Sequence, residues 1–510
     1  MEFVNGLKVP AWVIVSLSSI VSIYIFSTWP YSLFKSLKIP GPKPIPFFGN
    51  LLTLTKQGFH TVHQNWTRQY GKVVGFYEGR HPCMLVSETS MIREILVKDF
   101  NSFRNRRNIQ IAGYPMDSGI LQQRDDQWKN TRHILTPAFS SLKLKKMVGL
   151  IQDCGNILTN KSQELVKKGD DEIELYSHFS AYTMDVITST AFGVKIDAYD
   201  KNDPFIKNAK AFTTLNFAGL LFMTYFLAPG LLPFLLALKI TVVPKAPLDF
   251  FIQVIDGAIA AKKESLDPRF DLLQAMLNAS EDSDPIEDDG LMSSVEVKST
   301  NKKGLTNGEI LAHSVTFFLA GHETTATTMT FLAYELALHP DIQNKATEEI
   351  DRVLGDKPCD YENIQELVYL DMCLSETLRL YPPATRLERT ASVDVTLDDI
   401  KIPAETIVVI PVYTIHRDPS IYDNPDDFIP ERFSPEKKAK LGAYHYMPFG
   451  LGPRSCIGMR MAVLETKLGI ARLLQKFKFS TCDKTMIPLK FRNSTLLQID
   501  GDVVLKFIAR

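Results

Sequence analysis

The chain has 510 residues, 45% of them apolar and 23% charged, with a formal net charge of −1. That balance supports a large buried core, made aromatic by 31 Phe, and excludes both a disordered chain and the basic footprint of a nucleic-acid binder. Six cysteines (Cys83, Cys154, Cys359, Cys373, Cys456, Cys482) are scattered without paired spacing in a chain too large to need covalent staples, which fits a reducing compartment.

No internal repeat and no long Gly/Ser linker divides the sequence, so one large domain is the simplest account of most of it. Between Lys8 and Lys35 no residue is charged, and residues 9–26 are apolar enough to span a bilayer as a helix despite four serines. A cleaved secretory signal is the competing reading; against it stand a start that is not basic and no small-x-small site before Trp29-Pro30. Lys35, Lys38 and Lys43 follow the span, and by the positive-inside rule they place the rest in the cytosol. The acceptor patterns at Asn65, Asn160, Asn278 and Asn493 then stay unglycosylated. Pro40-Gly41-Pro42-Lys43-Pro44-Ile45-Pro46 excludes helix and predicts a stiff, extended connector that sets the distance of the domain from the membrane. The division is an anchor over 1–35, a hinge over 36–50 and a main domain over 51–510.

Alternation around Val73 to Tyr77 and Met84 to Val86 predicts two short strands. Arg104-Asn105-Arg106-Arg107 has the composition of a solvated surface patch. Trp128 and Arg132 lie one helical turn apart, on one face. Residues 183–193 predict a buried helix ending at Gly193. The apolar residues 212–243 are broken by Pro229, Gly230 and Pro233, which excludes a second simple span, and residues 281–289 predict an acidic linker.

Thr306-Asn307-Gly308-Glu309 is a capping box, and the helical pattern beyond it runs to Pro340. Near its middle lies Ala320-Gly321-His322-Glu323-Thr324-Thr325. The small pair leaves room beside a flat cofactor, and the Thr324 hydroxyl can bond the Ala320 carbonyl and loosen the helix. His322-Glu323 begins like a zinc-protease helix, but Ala326 stands where the second histidine belongs. Glu376 and Arg379 lie three apart on one helix and can pair.

Phe449-Gly450-Leu451-Gly452-Pro453-Arg454-Ser455-Cys456-Ile457-Gly458 puts a cysteine at the end of a glycine-rich loop, just before an apolar run at helical spacing. Helix-start amides and close backbone N–H groups are expected to lower its pKa. The loop lacks the third glycine of a dinucleotide fingerprint, with Ser455 in its place. A lone cysteine without these neighbours is commonly an inert buried one.

The string Phe-x-x-Gly-x-Arg-x-Cys-x-Gly resembles, residue for residue, the haem-binding signature of the cytochrome P450 family, and the resemblance extends over essentially the whole chain, most like its family 3, subfamily A. It implies a mainly α fold with a small β region, preceded by one N-terminal transmembrane helix. It implies haem b (iron protoporphyrin IX), with Cys456 as the metal ligand and Phe449, Arg454, Trp128, Arg132, Arg106 and Arg389 as cofactor contacts. Thr324 and Glu323 become the catalytic residues, Thr324 helping to protonate the bound oxygen with Glu323 or ordered water in the proton path, and Glu376, Arg379 and Arg432 of Pro430-Glu431-Arg432-Phe433 become a structural brace for the cysteine loop. The implied reaction inserts one atom of O2 into an apolar small molecule, a xenobiotic or steroid. Electrons would come from an NADPH-dependent reductase, with cytochrome b5 as a further partner, at the endoplasmic reticulum membrane.

Lys129, Lys143, Lys145, Lys146 and residues 437–440 form either the reductase-docking face or ordinary solvated surface. In this family residues 212–243 roof the substrate cavity and dip into the membrane. Leu121, Phe317, Ala384 and Thr385 are the expected pocket lining. Leu319 and residues 212–226 depart from the aromatic pattern of subfamily A. An isomerase on the same fold would not need Thr324, and a haem sensor would need neither that threonine nor a roofed cavity.

Overall fold

The computed structural model describes residues 10–109, 113–194, 196–200, 203–213, 220–227, 229–238, 240–241, 244–264, 271–280 and 304–510. The acidic stretch 281–289 and part of the apolar stretch 212–243 lie outside them. The helices that matter for the site are α1 (Ala11–Thr28), α2 (Phe59–Tyr70), α3 (Asp125–Leu135), α4 (Ser141–Lys168), α5 (Leu175–Ile187), α6 (Leu220–Leu227), α7 (Leu232–Ala237), α8 (Asn307–Leu338), α9 (Val368–Leu380) and α10 (Met459–Leu474). The described strands are β1 (Val73–Glu78), β2 (His81–Val86), β3 (Glu172–Glu174), β4 (Leu387–Thr390), β5 (Val395–Leu397), β6 (Ile400–Ile402), β7 (Ile407–Ile410), β8 (Phe477–Ser480) and β9 (Val504–Ala509).

In α1 only Ser27 is buried. With the turn that follows, it makes a 26-residue run, Ala11–Ser36, long and apolar enough to cross a membrane. Past it the chain docks at once. The rings of Tyr31 and Phe34 lie 4.8 and 5.1 Å from that of Tyr77, and the Gly75 N–H donates to the Pro40 carbonyl at 2.8 Å. A Cβ at Gly41 would lie 1.8 Å from the Gly75 carbonyl oxygen, so only glycine allows this approach. The proline-rich connector is therefore laid along β1 instead of standing off as a free spacer.

Strands β1, β2, β7 and β4 form one sheet in that order, with β1–β2 and β7–β4 antiparallel and β2–β7 parallel. α2 covers it with Phe59, Val62 and Trp66. β3, β9 and β8 make a second sheet, and β5 and β6 a hairpin. The largest apolar cluster joins α4, α5, α8, α9 and α10 to β8 and β9 through Phe179, Tyr182, Met329, Leu332, Leu374, Leu468 and Phe507.

α8 is the axis of this cluster. Thr306 caps it with the reciprocal Glu309 contact that the sequence predicts. At 32 residues it spans about 48 Å. It is buried around most of its circumference, its polar side chains such as His313, His322 and Glu335 included. α5 packs along it, passes into a π turn over Thr188–Phe192 and stops at Gly193, whose φ of 67° is left-handed.

Candidate active site

Between β7 and α10 the chain returns to α8 through the cysteine loop. Gly450 and Gly452 take φ of 72° and 71°, where a side chain is strained. At Gly452 a Cβ would also meet the Leu96 carbonyl oxygen at 2.0 Å, so this glycine lets the loop press against its own protein neighbour. The Cys456 N–H donates to the Phe449 carbonyl at 2.8 Å, two residues before the Gly458 N-cap of α10. Cys456 is exposed by surface although it lies deep among protein atoms, as a side chain does when it opens onto an internal recess.

The predicted lowering of its pKa does not occur in the protein alone. Burial raises the thiol above its ordinary value, and the Gly458 N–H and the charges of Arg132 and Arg106 offset this only in part. The reason is depth: desolvation of a thiolate outweighs one backbone amide and two guanidinium groups that are themselves solvent-poor.

Those guanidinium groups form the second feature. Arg106, Arg132, Arg389 and Arg454 gather round the loop, and among the described residues none has a carboxylate in ion-pair contact. The buried Nε of Arg132 and of Arg389 bonds to nothing. Arg389 is held below its usual range, at about 9, by burial and then by Arg106. Arg454 falls to about 8 through burial and its cationic neighbours Arg106 and Arg389. Arg454 donates from Nε to the Arg104 carbonyl at 2.6 Å and from Nη2 to the Gln123 carbonyl at 3.0 Å, and lies 4.2 Å over the Trp128 ring. A cluster of solvent-poor cations with no carboxylate in contact, on which Glu388 and Asp125 act only from a distance, calls for an anionic ligand.

The third feature is the middle of α8. Ala320 is exposed inside a helix that is otherwise largely enclosed, and the Thr324 hydroxyl donates to its carbonyl at 2.6 Å. Glu323 turns to a different side and accepts from the Gln498 side chain. Burial raises the Glu323 pKa, against the pull of Gln498 and Arg492.

The family model for cytochrome P450 matches residues 39–507. Cytochrome P450 3A29 of Sus scrofa is 39% identical over 100% of this chain and 99% of its own length. Cytochrome P450 3A5 of Homo sapiens is 40% identical over 100% and 99%, and cytochrome P450 3A27 of Oncorhynchus mykiss 39% identical over 100% and 96%. The chain belongs to the cytochrome P450 family. It is an oxidoreductase, a haem-thiolate monooxygenase similar to the 3A members.

The residues present suit that cofactor. A haem would bring two carboxylates for the guanidinium groups of Arg106, Arg132, Arg389 and Arg454, a flat face for the exposed Ala320, and an iron for the Cys456 sulfur, where a metal would take the place of the thiol proton. Haem supplies the iron at which O2 is reduced and split.

The brace read at Glu376, Arg379 and Arg432 comes together in this P450. Arg379 donates to Glu376 from Nε and Nη2 at 2.7 and 2.8 Å with both side chains fully buried, and Arg432 adds a contact at 3.2 Å. Its link to the cysteine loop runs through His416, which the sequence reading missed. Arg379 Nη1 donates to the His416 carbonyl at 2.8 Å, and His416 Nε2 accepts the Met447 N–H at 2.9 Å, just ahead of the loop.

Also missed was a buried network beside Arg106. Arg107 pairs with Glu78 and with Glu388, each at 2.6 Å, and Arg386 with the same two carboxylates at 2.7 and 2.8 Å. The arginine run is thus only in part the solvated patch its composition suggests: Asn105 and Arg107 are buried.

The four expected pocket residues come from different parts of the chain. Leu121 is exposed at 45%. Phe317 is buried against Phe139, the ring centroids 5.6 Å apart. Ala384 bridges to Leu496, and the buried Thr385 hydroxyl donates to the Thr495 carbonyl at 3.3 Å, so both meet the C-terminal hairpin.

Proposed function

We propose that this P450 oxidises apolar small molecules, xenobiotics and steroids among them, on haem b at the cytosolic face of the endoplasmic reticulum. Electrons come from an NADPH-dependent flavoprotein reductase, and cytochrome b5 is an auxiliary donor. The anchor over 1–35 and the hinge over 36–50 hold the remaining domain at the membrane. The exposed Leu231, Phe234 and Leu238 beside α7, with Tyr114, add a second apolar contact with lipid.

In this reading Cys456 ligates the iron, Phe449 lies beside it, and Trp128, Arg132, Arg106, Arg389 and Arg454 hold the haem carboxylates. Thr324 and Glu323 move the protons that O–O cleavage consumes. Glu376, Arg379 and Arg432 keep the cysteine loop in place, and Leu121, Phe317, Ala384 and Thr385 border the substrate. The observation that carries the reading is the meeting of one inward-opening cysteine with four guanidinium groups, those of Arg389 and Arg454 buried and those of Arg106 and Arg132 half-buried, none of which has a carboxylate in ion-pair contact among the described residues.

The test is the reduced protein under carbon monoxide. A far-red-shifted Soret band in wild type and its absence in Cys456→Ala is the expected result. A histidine-type band in wild type, or no haem in a folded protein, overturns the ligand assignment. Reductase-dependent turnover of a steroid and of an unrelated apolar drug then tests the substrate class.

A further inference from the structure

Residues 490–500 form a small hairpin near the C-terminus. Its arms are tied by the Arg492 N–H donating to the Gln498 carbonyl and the Asp500 N–H to the Lys490 carbonyl, both at 2.8 Å, and by a bridge between Phe491 and Ile499. Its tip is anchored: the Leu497 N–H donates to the Pro383 carbonyl at 2.9 Å, Leu497 is buried, and Leu496 bridges to Ala384. From this fixed frame Gln498 donates its side-chain amide to the Glu323 carboxylate on α8. Arg492, paired across the hairpin, adds positive charge to the same carboxylate and shares it with Asp500 at 3.7 Å. The other ionisable group facing Glu323 is Tyr176 at the start of α5, whose hydroxyl burial, and then the Glu323 charge, hold neutral; Glu174 acts on it too. His322, next in the chain, turns away to bond Ser180 on α5 at 2.7 Å.

Glu323 is thus suspended between two environments. On one side is Thr324, its neighbour on α8, which bonds the exposed Ala320. On the other is a hairpin whose Arg492 side chain is 59% exposed.

We propose that Gln498 and Arg492 are positioning residues for proton delivery, holding the Glu323 carboxylate turned toward the surface hairpin, where it takes a proton from solvent before handing it on toward Thr324. In the uptake a solvent O–H bond breaks and a carboxyl O–H bond forms; in the delivery that carboxyl O–H bond breaks and an O–H bond forms on the next acceptor toward Thr324, which restores the carboxylate without any oxidant or reductant. The proposal deepens the reading of Glu323 and Thr324 as the proton pair and rests on it.

The test uses the haem-loaded, full-length protein with its reductase. The Glu323 carboxyl is titrated by infrared difference spectroscopy, assigned by the band that Glu323→Gln removes. An N–H donor and a cation stabilise the ionised form, so Gln498→Ala and Arg492→Ala each raise the midpoint, by about one pH unit for Gln498→Ala. Gln498→Lys keeps a donor and a cation and returns the midpoint to wild type or below. The pH limb of product formed per NADPH follows the same order, while the carbon monoxide spectrum stays that of wild type.

An unmoved midpoint in both alanine variants overturns the proposal, as does a loss of coupling that Gln498→Lys does not restore. A moved midpoint with Glu323→Gln fully coupled instead sinks the proton role of Glu323 and leaves the positioning contact standing. The two failures are therefore separable.

Discussion

Arg379 is fully buried and spends its guanidinium on Glu376 and on three backbone carbonyls, those of His416, Pro425 and Asp427. Removing one member of such a set leaves a charge without a partner in a dry interior, at a cost of about 3–5 kcal/mol. Arg379→Ala is therefore expected to lose that much in urea unfolding, and its Soret absorbance per protein should fall with it. Arg379→Lys should not rescue, because an ammonium cannot reach the same forked set of acceptors. Gly452→Ala makes a different demand, since its Cβ meets the Leu96 carbonyl in a left-handed backbone. The loop must move, and haem occupancy after expression should fall while the helical circular dichroism remains. Unchanged occupancy would show that the loop has slack these contacts do not suggest.

Among the elements, α8 joins a stability role to a chemical one. Its N-cap sits at the protein edge, so Thr306→Ala should cost only about 1 kcal/mol and leave turnover alone. Thr324→Val removes a hydroxyl in mid-helix without changing the side-chain shape much. The expected outcome is an unaltered carbon monoxide spectrum with product per NADPH lowered on the order of 100-fold. Wild-type coupling in Thr324→Val would remove this threonine from the proton path. α8 also shows how far a sequence pattern reaches. Its capping box, its length and the Thr324 back-bond are all local, set by residues within a few positions of one another, and each is found as read. The partner of Glu323 lies in another part of the chain and left no trace in the helical pattern.

For the molecule as a whole, several histidines are stored neutral. Burial lowers His63 and His416 to about 3 and His60, His178, His313 and His322 to about 4. The unfolded chain takes up these protons near pH 6.5, the folded protein far lower, so below 6.5 the unfolded state binds more protons. Stability contributed by these sites is complete above that value and declines as pH falls. For His63, which is buried with both ring nitrogens unbonded, the loss is about 2 kcal/mol by pH 5. Urea midpoints should drop steeply between pH 7 and pH 5, and His63→Phe should flatten part of that slope. A flat pH dependence would mean that the interior admits water to these rings.

Wherever one short segment holds all the interacting parts, the sequence alone determined the outcome. The apolar span, the capping box, the cysteine loop and the Glu376–Arg379 pair are of this kind, because backbone propensity, polarity and spacing act within a few residues. Tertiary structure decided what depends on which distant segments meet. It divided Arg104 to Arg107 between surface and buried network by bringing up Glu78 and Glu388. It carried the brace to the loop through His416, and it set Gln498 against Glu323. It also reversed the expected acidity of Cys456, since desolvation depends on how much protein surrounds an atom, and no neighbour in sequence reports that.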